Sequence, residues 1–428
     1  ITSLILEHYN KVFDLPGVSE GAQASVIGKI RKDGQYIVHS GDDEIVNAPA
    51  PEVTEGFLYN RPYEARMKNY TEPNILEPTD YNKVLLDILS HENMASREPI
   101  FEQYDKQVQG RVHTETGQAD SGVMAPFNSE KYPEEIRNVG IALSTDHNPR
   151  YGLIDPYWGG VNAVVEAMRN VAAVGATPHA ITDCLCFGNP EKPYQMWEFV
   201  ESVRGVADAC HAITLKDNPD DATPIIAGNV SFYNESKNGA IPPSPIVSCL
   251  GRLKNVNKTV PMHFQKADSV ILMAGERKDE LGGSVYYSLH DELGTNVPEP
   301  DFEDVKNQIY ALTDCIDDCL ILSCHDISDG GVSSSLAEMT FGNGIGCDVE
   351  IKTNLSPDKI LFSETGGFIL EVSAHNVIRV SEVFSEYGQT IFTIGKTNFS
   401  NSIKLNRVIN LDLDKAKDAW DDGLRQKL

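Results

Sequence analysis

The 428-residue sequence predicts an α/β (α+β) architecture of two successive α/β domains, and three stretches carry that prediction. A helix beginning near Gly160 places Val161, Val164, Val165, Met168 and Val171 on one face, the spacing of a half-buried helix. Two strand-like runs lie on either side of the next amphipathic helix. The first, HAITDCLCF, is closed by Gly188-Asn189-Pro190; the second, Pro224 to Ala227, is closed by Gly228-Asn229. Farther on, CLILSCHD runs into Ile327-Ser328-Asp329-Gly330-Gly331 and the helix VSSSLAEMTF, a strand, a glycine-rich turn and a helix in succession.

Size and composition bound the answer. Hydrophobic residues make up 41% of the chain and charged residues 23%, as in a soluble globular protein, and the length suffices for two or three domains with proper cores. No apolar run reaches about eighteen residues and no basic-then-apolar leader is seen, so neither a membrane span nor a secretory signal is expected. The chain opens on ITSLILEHYNK without an initiator Met, which suits a processed or truncated product. Its 63 acids against 36 bases give a net charge of −27, a surface that repels phosphate backbones, so nucleic acid is not an expected partner. Small phosphorylated ligands can still be held by metals, glycine-rich loops and helix N-termini. The eight cysteines are scattered, with Cys210, Cys249 and Cys324 inside apolar runs, the pattern of buried reduced thiols in a cytoplasmic protein. Cys184 and Cys186 alternate with Asp183 on one predicted strand. Cys315 and Cys319 stand at helical spacing, without a His or Cys set to complete a metal site.

Taken in order, residues 1–50 begin with an apolar helix-like segment and continue as short strands around Asp33-Gly34 and Gly41-Asp42 turns, too little to stand as a domain. Residues 51–100 combine linker and helix. Pro49, Pro51, Pro62 and Pro73 mark the linker, and Val84, Leu85, Ile88 and Leu89 a short helix. Ser96 is a candidate cap for the following turn, with Glu98 and Pro99 inside it. Asp105, in QYDKQVQG, reads either as a catalytic acid or as a helix-surface acid. Residues 101–252 form the first α/β domain, in which TETGQADSGVMAP carries Asp120, VGIALS is a buried strand, and Thr145 to Pro149 is a turn that makes His147 a loop residue. Residues 253–400 form the second α/β domain, starting with strand ADSVILMAG. The paired glycines of LGGSVYYSLH are suited to close approach by a phosphate. A helix over 301–320 puts Val305, Ile309, Leu312 and Ile316 on one face, and LFSETGGFILEVS leads into a final strand. Residues 401–428 form a C-terminal tail ending in an acidic amphipathic helix with Trp420.

Several polar groups fall where such folds place ligands. Glu166 and Asn170 are four residues apart, so their oxygens project from one side of the helix and can share a cation. Asp183 points the same way as Ile181 and Leu185, and a carboxylate beside apolar neighbours needs a partner or a metal. Taken singly, GNP and GN are ordinary turns; together with Asp183, Glu166 and Asn170 they point to a ligand site at strand ends. Asp326 precedes a turn and helix N-terminus that read equally well as an anion site or as a plain turn with Asp329 as N-cap. No Walker lysine motif, dinucleotide fingerprint, zinc-finger spacing or nucleophile elbow occurs.

The stretches TDCLCFGNPE and AGNVSFYNE, with EAMRNVAAVGATP before them, resemble the phosphoribosylformylglycinamidine synthase (formylglycinamide ribonucleotide amidotransferase) family, and in particular its C-terminal half. The resemblance runs over most of the chain. It implies the PurM-like fold of the aminoimidazole ribonucleotide synthetase superfamily: an ATP-binding, dimer-forming α/β domain, then a second α/β domain with glycine-rich anion-binding turns. Residues 1–50 would be the end of a preceding second-type domain. It further implies ATP-dependent conversion of formylglycinamide ribonucleotide to the amidine with glutamine-derived ammonia, in de novo purine biosynthesis. A neutral amide oxygen leaves poorly, so it is phosphorylated first, with ATP and Mg2+ as cofactors. Carried over by motif, Asp183 and Gly228 bind ATP, Asn229 holds the metal and Ser231 touches the ribonucleotide. Asp120, Glu166, Asn170 and Asp326 resemble an auxiliary nucleotide and metal site. The family's catalytic histidine belongs to the first half, so no catalytic residue is expected in this chain. Implied partners are the ribonucleotide, the first half of the synthetase, and a glutaminase subunit or domain supplying ammonia; a homodimer would cover the same half-interface. The alternative is a non-catalytic nucleotide-binding or assembly module of the same superfamily.

Overall fold

A computed structural model describes residues 1–56, 59–66 and 70–428; residues 57–58 and 67–69 of the expected linker lie outside the described residues. The chain divides into two units, Ile1–Asn60 and Arg61–Leu428. In the first, helix α1 (Thr2–Glu7) passes into a π-helical turn at His8–Val12 and then α2 (Leu15–Val18). Strands β1 (Gln35–Ser40) and β2 (Asp43–Pro49) pair antiparallel across the expected Gly41-Asp42 turn, and α3 (Ala50–Thr54) follows. None of the described residues of this unit is buried, and Leu4, Val12, Ile27 and Ile30 stand exposed. It has no core of its own, as its size predicts.

The second unit opens with α4 (Tyr81–Leu89), whose N-cap Asp80 accepts the Lys83 N–H at 3.1 Å, and α5 (Glu98–Phe101). Strands β3 (Val112–Thr114), β4 (Gly122–Met124), β5 (Gly140–Asp146) and β6 (Thr177–Cys186) enter its first sheet. Between β5 and β6 run α6 (Pro149–Ile154) and α7 (Pro156–Ala173). Asp155 caps α7 by accepting from the Tyr157 and Trp158 amides at 2.9 and 3.3 Å, and Pro156 sits at the first helical position, where no N–H is needed. After α8 (Pro193–Ala212) come a small hairpin, β7 (Thr214–Leu215) with β8 (Asn218–Ala222), and strand β9 (Ile225–Ser231). A second small hairpin, β10 (Glu235–Ser236) with β11 (Gly239–Ala240), precedes β12 (Ser244–Leu253). The six-stranded order is β3-β4-β5-β12-β6-β9, antiparallel except for the parallel pair β6–β9.

Burial alternates along β12: Pro245, Val247, Cys249, Gly251 and Leu253 are buried, while their neighbours are at least partly exposed. The buried set, with Ala142 of β5 and Ile181 of β6, packs in one core with α7. The opposite face is open, with Leu143 54% and Met124 39% exposed. VGIALS is therefore half-buried rather than a fully buried strand. Gly228-Asn229 lies inside β9 and does not end it. This strand is an exposed edge, pairing on one side only, and Ile225, Ile226 and Val230 all face solvent.

The second sheet has seven strands, with β13 (Val270–Ala274) near its centre. Ile271 and Met273 face one core and Leu272 and Ala274 the other, so the sheet is covered on both faces, as its continuous apolar run predicts. Helix α9 (Val285–Ser288) and α10 (Phe302–Asp317) follow, the latter capped by Asp301. Then come β14 (Ile321–Ile327), α11 (Gly331–Thr340), β15 (Gly346–Val349), α12 (Pro357–Phe362), β16 (Gly367–Val372), α13 (Val377–Glu386) and β17 (Ile391–Asn398). The ETGGF strand, β16, is thus not the last. Residues 401–428, expected to be a tail, supply β18 (Ser402–Leu405) and β19 (Ile409–Asp412) to the same sheet before α14 (Leu413–Arg425). Trp420 of α14 packs inward and donates to Glu338 Oε1 at 3.1 Å. The paired glycines of LGGSVYYSLH are occupied by packing rather than open to a phosphate. A Cβ on Gly282 would meet the Asn296 backbone at 2.6 Å, and one on Gly283 the Tyr151 ring at 2.6 Å.

Candidate nucleotide and metal sites

Two groupings contain the residues expected to hold nucleotide, substrate and metal. The first lies on β6 and β9. Asp183 sits on the helix-covered side, cross-strand from buried Val247, between Ile181 and Leu185 as the period-two pattern predicts. Burial pushes its carboxyl up, opposed by the Asn229 backbone amide. Its partner across the parallel ladder is Gly228, and a Cβ there would stand 2.6 Å from Asp183 Oδ1. Only glycine leaves that carboxylate its place. Asn229 and Ser231 pair with Cys184 and Cys186, on the open face. Asn229 is exposed, whereas Ser231 Oγ is fixed by Asn234, which also donates from Nδ2 to the Ser231 and Phe187 carbonyls at 2.9 and 3.0 Å. Asp105 lies on an exposed loop rather than on a helix surface, because its side chain accepts the Gln107 N–H two residues on.

The second grouping forms where α7 meets β5 and β14. Asp120 Oδ2 accepts the Asp326 N–H at 2.8 Å, and Asp120 Oδ1 lies 2.8 Å from His325 Nδ1. His325 Nε2 reaches Glu338 Oε2 at 3.2 Å. Burial disfavours a charged ring, but Asp120 and Glu338 outweigh it and hold His325 well above its ordinary value. Asp120, His325 and Asp326 offer ligand atoms all within 4.8 Å of one another. Glu166 and Asn170 gather instead around Asp146, which accepts from Asn170 Nδ2 at 3.0 Å. Burial, then the charges of Asp146, Asp329 and Asp326, push Glu166 well above the carboxylate range. Burial lifts Asp146 to about 7 and Asp326 and Asp329 each to about 6. Arg169 Nε is the nearby cation, 3.7 Å from Asp326 Oδ2. Its guanidinium occupies the space a Cβ on Gly366 would take, at 2.1 Å from Nη1.

Of the four residues expected to share one auxiliary site, Asp120 and Asp326 are in contact, whereas Glu166 and Asn170 lie beside Asp146. His325 and Asp146, which the sequence does not single out, stand among them. The signal available was the adjacency of His325 to Asp326 at a strand end, and of Asp146 to a turn. His147, read as a loop residue, is partly buried with both ring nitrogens lacking a partner, and burial lowers it to about 4.

The donor set fits a hard divalent cation. Asp146 Oδ2 and Asp326 Oδ2 are buried oxygens without a hydrogen-bond donor, Asp120 Oδ1 lies beside His325 Nδ1, and oxygen ligands suit Mg2+. The glycine-rich turn before α11 behaves differently from either sequence reading. Asp329 does not cap the helix; it accepts from Asn148 Nδ2 at 3.1 Å. The Gly330 N–H, together with that of Val285, donates to Glu364 Oε1 at 2.8 Å, and Tyr151 donates its hydroxyl to Glu364 Oε2 at 2.6 Å. The acceptor at this turn is the chain's own Glu364 carboxyl group. Burial and Asp329 push Glu364 up to about 8. In the folded state Glu364 therefore keeps a proton that the unfolded chain releases near its ordinary value, so its contribution to stability is lost as pH rises from about 4.5 towards 8. Glu364→Gln is expected to gain stability relative to the parent over that window, by about 1–3 kcal/mol, read from urea midpoints at the two ends.

The N-terminal domain of AIR synthase related proteins matches residues 120–253, and the C-terminal domain of the same proteins matches residues 266–406. The chain belongs to the AIR synthase related family. Its mixed sheets and their helices are those of the PurM-like fold expected from the sequence. Among AIR synthase related proteins it is similar to the phosphoribosylformylglycinamidine synthase subunit PurL of Methanothrix thermoacetophila, 43% identical over 99% of this chain and 55% of that protein. It is similar also to PurL of Methanocaldococcus jannaschii, at 36% over 96% and 55%. The chain thus spans about half the length of the curated relatives it matches. The solved T. maritima PurL complexed with FGAR superposes with a TM-score of 0.63 at 18% identity, over 80% of this chain and 54% of that one, a likeness of fold. Among the described residues no helix is long and apolar enough to cross a membrane.

Proposed function

We propose that this chain supplies the C-terminal half of a cytoplasmic synthetase that converts formylglycinamide ribonucleotide to its amidine with ATP and ammonia. The observation that carries the reading is the Asp183–Gly228 pairing across β6 and β9, in a chain 43% identical to a PurL subunit over 99% of its length. In this reading the amide oxygen of the substrate attacks the γ-phosphorus of ATP and ADP leaves. Ammonia then adds to the activated carbon, and phosphate departs as the amine loses a proton. Asp183 and Gly228 hold the nucleotide, Asn229 a Mg2+ ion, and Ser231, fixed by Asn234, orients the ribonucleotide. When bound, the cation neutralises the transferred charge. Asp120, Glu166, Asn170 and Asp326 form the auxiliary nucleotide and metal site.

The open sheet face and the exposed edge β9 suit a partner of like shape, and we assign that place to the first half of the synthetase. Solved relatives bear on the ligands and partners: T. maritima PurL is described with AMPPCP, and within a PurLQS assembly. A glutaminase subunit or domain is the ammonia source in this reading. A second reading, an auxiliary nucleotide-binding module, draws on one observation: the acidic centre is built from this chain alone, whereas Asn229 and Ser231 face the open side.

The test is ammonia-dependent, ATP-consuming amidine formation by the chain alone and with a separately made first half. Activity only in the mixture supports the ligase. No activity in either, with both parts folded and nucleotide bound, favours the module. Asp183→Asn is expected to weaken ATP binding by about tenfold, on the order of 1.4 kcal/mol, with the melting temperature unchanged. Unaltered affinity by calorimetry would remove Asp183 from the nucleotide site.

A further inference from the structure

Cys184 and Cys186 take no part in the chemistry described so far. They stand two residues apart on β6, so both side chains leave the same face of the sheet. That face is the open one: both thiols are half-exposed, unlike the buried Cys210, Cys249, Cys315, Cys324 and Cys347. Their sulfurs lie 3.8 Å apart. Two thiolates bound to one tetrahedral Zn2+ at about 2.3 Å have their sulfurs about 3.8 Å apart. A disulfide would need the sulfurs to close to about 2.05 Å, across a pair of strand positions at the wide limit of disulfide geometry. The neighbours are compatible with an added ligand. Asn229 Nδ2 stands 3.7 Å from Cys184 Sγ, and an amide turned about its last torsion presents its oxygen instead. Ser231 is the cross-strand neighbour of Cys186.

We propose that Cys184 and Cys186 form a two-thiolate chelate for a thiophilic divalent ion of the Zn2+ and Cd2+ class, on the face that carries Asn229 and Ser231. Binding replaces two S–H protons by one ion: two thiols and M2+ give the bis-thiolate and two H+, with no change of oxidation state. Two coordination positions stay open to water or to an oxygen ligand. Soft sulfur donors separate this ion from the hard cation suited to the carboxylates around Asp326. The proposal stands whether or not the chain is half of a ligase.

The test uses the 428-residue chain, reduced and in thiol-free buffer, titrated with Cd2+ and followed by the thiolate-to-metal charge-transfer absorbance and by proton release. One ion per chain and two protons per ion are expected. Cys184→Ser and Cys186→Ser should each weaken binding at least tenfold and the double variant abolish it, while Cys319→Ser leaves it unchanged. Tight binding retained by the double variant overturns the proposal, as does an air-formed disulfide between the two in place of binding. If a variant fails to fold, iodoacetamide labelling of the parent read by peptide mass decides. Protection of both Cys184 and Cys186 by Cd2+, with Cys319 still reactive, supports the chelate; equal labelling with and without the ion overturns it.

Discussion

Replacing Gly331 with alanine is expected to lower stability by about 4 kcal/mol, among the largest losses a single substitution produces. Two costs combine. Gly331 has φ +68°, a left-handed conformation that costs a residue with a Cβ on the order of 1 kcal/mol. The new Cβ would also lie 2.6 Å from the Ser363 carbonyl oxygen and 2.7 Å from that of Leu361, both backbone atoms that cannot swing aside. Relief requires moving the 361–363 segment, and with it Glu364 and the amides it receives. Gly344 provides the control: its φ is +64°, but nothing lies within 4 Å of its would-be Cβ. Gly344→Ala should cost only about 1 kcal/mol, the conformational part alone. Urea midpoints of the two variants separate the terms, and equal losses would show that the contact with the 361–363 carbonyls carries no cost.

Magnesium is expected to raise the melting temperature by several degrees more at pH 8 than at pH 5. Burial pushes Asp146 to about 7 and Asp326 and Asp329 each to about 6, and Glu166 well above its ordinary range. Each raised carboxyl holds a proton in the folded protein that the unfolded chain has already given up. Stability from these groups is complete below the unfolded value near 4 and falls as pH rises through about 6 to 7. Each tenfold gain in a carboxylate's proton affinity on folding is worth about 1.4 kcal/mol, so the fall amounts to several kcal/mol. A divalent cation supplies the positive charge that the departing protons remove, which is why its effect grows with pH. Asp326→Asn removes one ligand oxygen and should shrink the magnesium response at pH 8. Calorimetric scans with and without Mg2+ at both pH values check this, and a pH-independent response would place the cation elsewhere.

What the sequence disclosed and what it hid follow from how far apart the deciding contacts are. The α7 stripe and the inward direction of Asp183 depend on local period alone, and both are seen. Helix α7, however, starts at Pro156 and is buried on nearly every side rather than half-buried, because α8 and both sheets' cores pack around it. Asp120 and Asp326 meet although 206 residues separate them, which only the family motifs could anticipate. His325 carries no such motif, and its role comes from Asp120 and Glu338 arriving from other elements. The placement of Gly228-Asn229 inside a strand depends on β6 continuing alongside it, since a Gly-Asn pair read alone signals a turn. The last two strands were hidden because SIKL and INLD are short and polar at alternate positions, and their burial comes from the sheet they join.

The carboxyl group of Glu364 shields the start of α11 from competing ligands. A ligand carried on the same chain meets its binding groups at an effective concentration of millimolar order or above, whatever the surrounding solution holds. A free phosphate, sulfate or carboxylate would have to displace a resident that is tethered 34 residues from Gly330, almost wholly buried, and held by two amides and a phenol. The helix N-terminus is thereby insulated from the cell's pool of small anions, and phosphate reaching this protein is left to other groups.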